Sequence, residues 1–206
     1  DFLQEVLGKK TPWCCFVSIS EPHDPFVCSQ EAFDLYDVDA LELPPNLRDD
    51  LSDRPGLYRK AGTPFAHMTA RQHREAAACY YASITEIDKL FGRLIDLVDQ
   101  AGALDNTIVI FTGDHGELLG AHGLYCKNIS GFEEVYNIPM VMAGPGITAH
   151  GTVDARVGLL DLCPTILDLV GAEPLPDLDP DSRSFAPLLK DASLAASYGS
   201  GYAEYF

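Results

Sequence analysis

Apolar residues follow two rhythms along this chain. Two short runs, Trp13 to Ser20 (WCCFVSIS) and Asn106 to Thr112 (NTIVIFT), are rich in β-branched and aromatic residues and lie next to Pro or Gly, the pattern of buried strands in a parallel sheet, and Ile138 to Ala143 reads as another short apolar strand. From Thr69 to Gln100 the rhythm is helical: Ile84, Ile87, Phe91, Leu94 and Val98 recur on one face, Thr69 with Gln72 forms a capping-box pattern, and Gly102 stands just past the last turn. A shorter helix is predicted through Val170, capped by Asp161, with Pro164 in its first turn and Gly171 just after its end. The long helix leads directly into Asn106–Thr112, an α-then-β unit. The predicted class is therefore α/β, a layered, mostly parallel sheet with flanking helices.

The rest punctuates these elements. Val27 to Pro64, centred on LELPPNLRDD, is polar, Pro-bearing and irregular, and reads as turns or polyproline structure over a solvated surface. Tyr80 and Tyr81 read as packing residues. Glu133 and Glu134 follow Gly131 on what reads as an extended segment; neighbouring side chains there point apart, so they are assigned no role. Asn128-Ile129-Ser130 is a formal glycosylation sequon.

Composition narrows the classes. With 206 residues and 47% hydrophobic content the chain can bury a core. Its 31 acidic against 14 basic residues give a formal charge of −17, which argues against a nucleic-acid-binding surface. An anionic substrate would need local positive charge working against that field. No apolar run is long enough for a membrane-spanning helix. Six cysteines show neither CxxC spacing nor the density of a disulfide scaffold, so no zinc knuckle or disulfide framework is indicated. Adjacent Cys14 and Cys15 on a predicted strand read as buried free thiols. Asp1 to Lys10 carries no signal-peptide pattern, and the chain reads as an internal piece of something longer.

Candidate chemistry concentrates in Asn106 to Lys127, NTIVIFTGDHGELLGAHGLYCK. The strand breaks at Gly113, Asp114 and His115 follow at once, and Gly116, Gly120 and Gly123 keep the next residues in a loop fit to wrap a ligand. A carboxylate beside an imidazole can bind a divalent cation, and Lys127 can hold an anion against it. His23 lies just beyond the carboxyl end of Trp13–Ser20. If both strands run parallel in one sheet, His23 and Asp114 emerge at the same edge.

TGDHGELLGAHGLYCK resembles the metal- and anion-binding segment of the sulfatases, in the alkaline phosphatase superfamily, and PHDPF (Pro22 to Phe26) and YYASITEID (Tyr80 to Asp88) resemble further segments of that family. The resemblance implies an alkaline phosphatase-like fold, present as a partial domain. Residues 1–190 would be the central and C-terminal part of the catalytic domain, and residues 191–206 the start of a smaller C-terminal subdomain. It implies that Asp114 and His115 ligate a divalent metal, usually calcium. His23 and Lys127 would contact the sulfate, His23 assisting proton transfer at the leaving oxygen, with His122 a neighbouring substrate contact. The implied substrate is a sulfated small molecule or glycan, and a periplasmic, secreted or lysosome-like setting fits the family.

The family's nucleophile is a formylglycine made from Cys or Ser in a C/S-x-P-x-R motif, and further metal ligands come from an acidic pair near the N-terminus. Neither motif occurs in these 206 residues, and both are expected upstream of Asp1. A site of Asp114 and His115 alone should be weak, since hard cations prefer six or more ligands. Three readings follow: a sulfatase when complete, the fragment alone being inactive; a phosphonate or phosphate ester hydrolase of the same superfamily; and a non-catalytic truncated binding domain.

Overall fold

The computed structural model describes residues 2–127 and 131–198; the sequon at Asn128-Ile129-Ser130 lies outside them. The chain forms two compact units, Asp1–Leu104 with His115–Ile138, and Asp105–Asp114 with Pro139–Phe206.

The first unit is helical: α1 (Phe2–Leu7), α2 (Gln30–Phe33), α3 (Gly56–Gly62), α4 (Ala70–Gln100) and α5 (Glu133–Tyr136). At the start of α4 the Thr69 side chain accepts from the Gln72 amide and the Gln72 side chain accepts from the Thr69 amide, the capping box expected from sequence. The buried face of α4 is not the large aliphatic one. It consists of His73, Ala77, Ala78, Ala82, Ser83 and Val98, while Ile84 is 41% exposed. Small side chains let the segment around α2 approach closely: the Tyr36 hydroxyl reaches the Tyr81 carbonyl at 3.1 Å and the Thr85 hydroxyl at 2.7 Å. Among the described residues no helix is long and apolar enough to cross a membrane.

Trp13–Ser20 departs from expectation. It forms no regular element and joins no strand ladder among the described residues, with Phe16 90% exposed and Cys14 exposed rather than buried. An apolar run sets β propensity; a strand also needs a partner to hydrogen-bond with. The core lies elsewhere, in Leu51, Leu118, Ala121, Leu124, Phe132 and Val135, with Tyr58 and Ala61 packed against them. Three of these come from the glycine-spaced loop itself, so that loop is part of the core rather than a flap over it.

The second unit holds β1 (Val109–Thr112) and β2 (Met140–Ala143), then α6 (Leu162–Val170) and α7 (Ala186–Lys190). The strands pair antiparallel, Val109 opposite Ala143 and Thr112 opposite Met140. The layered parallel sheet expected from the apolar runs is not what the described residues form. β2 shows why: Met140 and Met142 join the core, while Val141 is 63% exposed, the one-sided burial of an antiparallel pair. Asp161 precedes α6, but its carboxylate binds the Gly158 and Arg183 amides at 3.0 and 2.8 Å rather than capping the helix. Gly171 ends α6 at φ 66°, as a C-terminal glycine should. Phe185, Leu188 and Tyr198 form the buried centre of this unit.

Candidate functional site

The loop from Gly116 to Lys127 is built to hold one shape. Gly116 donates to the Val135 carbonyl at 2.8 Å, and a Cβ there would stand 2.0 Å from the Glu134 carbonyl oxygen, so only glycine fits. The Gly120 amide meets the Leu124 carbonyl at 2.8 Å, and the Leu118 amide meets the Cys126 carbonyl at 3.4 Å. Leu119, His122 and Cys126 all take positive φ (45°, 57° and 62°), a conformation side chains disfavour and that surrounding contacts must enforce.

Glu117 supplies much of that enforcement. One oxygen of its carboxylate accepts the Leu119 amide at 3.0 Å and the Cys126 amide at 2.6 Å, closing the loop from inside. Burial pushes this carboxyl above its usual range, against the pull of those two N–H donors. Tyr125 anchors the loop from outside: its hydroxyl lies 2.7 Å from Nδ1 of buried His73 on α4, with the two rings stacked at 10°. Burial raises the Tyr125 phenol to about 12 and lowers the His73 imidazole below its ordinary value. Burial likewise raises the neighbouring Cys126 thiol to about 12, with the Asp24 carboxylate hydrogen-bonded to it adding to the shift.

Lys127 emerges beside two histidines. Its Nζ lies 3.0 Å from His23 Nε2 and 3.4 Å from His115 Nε2, and the two rings meet edge to face with centroids 5.8 Å apart. His23 Nδ1 sits 2.9 Å from the Asp24 carbonyl oxygen, and His115 Nδ1 sits 2.9 Å from the Gly116 carbonyl oxygen. A carbonyl oxygen only accepts, so each Nδ1 carries its proton and each Nε2 presents a lone pair. The Lys127 ammonium donates to both. The arrangement combines one cation with two imidazole nitrogens able to accept a proton or face a metal. His115 is peptide-bonded to Asp114, whose side chain is exposed at the end of the segment that β1 belongs to.

His122 stands in a different hydrogen-bonded group. Its Nδ1 lies 2.6 Å from an Asp49 carboxylate oxygen, its Nε2 lies 3.0 Å from the Asn46 amide nitrogen and 3.6 Å from Glu134, and its ring stacks on Phe132. The His122 hydrogen bond, with the Leu51 amide, holds the Asp49 carboxyl below its usual range. Glu134 is on the helical turn α5, not on an extended segment, and accepts from Asn46 at 3.1 Å.

Glu117, His73, Asp49 and Asn46 are absent from the sequence reading. Spacing reveals none of them; their roles come from burial and from partners distant in sequence. The one available hint was a carboxylate set among leucines and glycines at Glu117.

Comparison with known proteins places the chain in a family. The sulfatase family model matches residues 1–172. The chain is 33% identical over 189 residues to the choline-sulfatase of Rhizobium meliloti, an alignment taking in 87% of this chain and 36% of that protein. It is 30% identical over 193 residues to an endo-4-O-sulfatase of Bacteroides thetaiotaomicron, covering 90% of this chain and 34% of that protein. Among solved structures, the phosphonate monoester hydrolase of Agrobacterium radiobacter superposes with a TM-score of 0.81 at 25% identity, over 92% of this chain and 40% of that one. The chain thus spans about a third of the length of the curated relatives it matches. By the extent of the match to the family model, reinforced by these relatives, the chain belongs to the sulfatase family.

Proposed function

We propose that this chain supplies part of the metal and sulfate site of a sulfuric ester hydrolase. The observation that carries the reading is the meeting of Lys127 Nζ with His23 Nε2 and His115 Nε2, at 3.0 and 3.4 Å, in a chain of formal charge −17. An ammonium with three donors is suited to the oxygens of a tetrahedral sulfate. In the resting arrangement His23 Nε2 accepts from Lys127. When sulfate oxygens take over the ammonium, that nitrogen is released to carry a proton to or from the ester oxygen.

Asp114 and His115 would ligate a divalent cation, calcium being the expectation, which when bound draws electron density from the sulfuryl oxygens. The donor types fit: the Gly116 carbonyl holds His115 Nδ1, which turns Nε2 toward the Lys127 side of the ring, and Asp114 adds an exposed carboxylate. They form only part of a ligand set, since among the described residues no group of three or more His, Cys, Asp or Glu stands where it could hold an ion. The other ligands and the formylglycine nucleophile are assigned to chain beyond these residues. His122 serves the site by holding Asn46 and Asp49 against the loop, and a direct substrate contact would require it to leave Asp49. The substrate is taken to be a sulfated small molecule or glycan, as the names of the related enzymes suggest.

The test is Lys127→Ala in the full-length enzyme with a sulfate ester. Turnover should fall about 10²- to 10³-fold with the melting temperature little changed; near-normal turnover removes Lys127 from the site. The likeness to a phosphonate monoester hydrolase supports a second reading, phosphonate ester hydrolysis at the same groups. Turnover of a sulfate and a phosphonate ester of one alcohol, measured side by side, separates the two.

A further inference from the structure

The segment from Phe26 to Tyr36 lies along α4 and is fixed to it at several points. Phe26 sets its ring edge-on to Tyr80, centroids 5.4 Å apart. The Ser29 amide donates to the Glu86 carboxylate at 3.3 and 3.4 Å. Tyr36 closes the far end on Tyr81 and Thr85, at 3.1 and 2.7 Å. Cys28 falls between the first two of these attachments, and Cys79 is the residue before Tyr80 on α4. On α4, Cys79, Ser83 and Glu86 stand at i, i+4 and i+7, one stripe of the helix, along which the segment runs. These flanking attachments bring Cys28 alongside Cys79, whose thiol is among the groups that push the Cys28 thiol up, and both cysteines are free and half-buried. Neither belongs to the Lys127 group.

We propose that Cys28 and Cys79 form an oxidation site, closing to an intramolecular disulfide that straps the segment following His23 to α4. Closure needs a two-electron oxidant of the small-disulfide class, such as oxidised glutathione. One cysteine thiolate attacks a sulfur of the oxidant, forming a mixed disulfide and expelling one thiolate. The second cysteine thiolate attacks the protein sulfur of that mixed disulfide and expels the other. The two thiol protons leave on the expelled thiolates, and the protein ends two hydrogens lighter. Burial pushes the Cys28 thiol up, and Cys79 and then Glu86 add to the shift, so closure quickens as pH rises. The bridge would enclose about 50 residues, restricting the unfolded chain far more than the folded one.

The full-length protein is incubated with oxidised glutathione, digested without reductant and mapped by mass spectrometry. A Cys28–Cys79 cross-linked peptide should appear in the native protein and be absent from Cys28→Ser and Cys79→Ser. The oxidised native protein alone should melt about 5 °C higher. Exposed Cys14 and Cys163 serve as internal reporters, since their glutathionylation shows that the oxidant was active. Recovery of Cys28 and Cys79 unlinked while those reporters react, or a bridge from either to another cysteine, overturns the proposal. A cross-link with no rise in melting temperature overturns its strapping role. None of these readouts depends on hydrolytic activity, so they stand or fall apart from the sulfatase reading.

Discussion

At the scale of single residues, Lys127 works against the field of its own chain, and two imidazole nitrogens accept from its ammonium. A carboxylate there would neutralise it and repel an anionic ester. His73 is a different kind of residue, 8% exposed and tied to Tyr125. Burial lowers its pKa from the ordinary 6.5, so the unfolded chain takes up a proton where folded His73 resists it. The stability it contributes is full above that value and is lost as pH falls from it toward the lower folded value. His73→Gln keeps an oxygen to accept from the Tyr125 hydroxyl but cannot titrate. Its melting temperature should fall less than the native protein's between about pH 7 and about pH 5. An equal or steeper fall would show that His73 is not the sensitive group.

At the scale of the element, the Gly116–Lys127 loop behaves as a small folded body. Leu118, Ala121 and Leu124 are its core contribution, Glu117 its internal brace, and Tyr125 its anchor. Lys127 follows directly on the Cys126 amide that Glu117 holds, so the brace sets where the ammonium stands. Glu117→Ala should expose the Leu119 and Cys126 amides to faster hydrogen exchange. In the full-length enzyme it should lower kcat about 10²-fold with KM little moved. Glu117→Gln, which keeps one oxygen able to accept both amides, should restore both readouts to within a few-fold. Equal damage from the two variants would mean that the charge, not the brace, matters. The glycines and the DHG-to-Lys spacing of this loop were legible from the sequence. Glu117 was not, because nothing in spacing tells a solvated glutamate from one folded back onto its own backbone.

At the scale of the whole molecule, helices were read more faithfully than the sheet. The capping box of α4 and the glycine end of α6 depend on neighbours in sequence, and both are present. Strand partners depend on distant chain, and among the described residues an antiparallel pair stands where a parallel sheet was expected. Trp13–Ser20 joins no ladder among the described residues, which leaves Phe16 90% exposed. Phe16→Ser in this chain should change its folding free energy by no more than about 0.5 kcal/mol. It should also reduce binding of a hydrophobic dye and self-association measured by light scattering. A large loss of stability would mean that Phe16 is packed in solution.

The sequence by itself determined the local features: where α4 begins and α6 ends, which loop must be glycine-rich, and which acid, imidazoles and ammonium are the candidates for chemistry. These depend on residue type and short spacing, and chain geometry over a few residues is enough to set them. Only the tertiary structure decided that Lys127 meets His23 across 104 positions, that His122 turns to Asp49, that small residues form the buried face of α4, and that Cys28 faces Cys79. Each of these is a pairing between remote segments, settled by the packing of the folded chain as a whole.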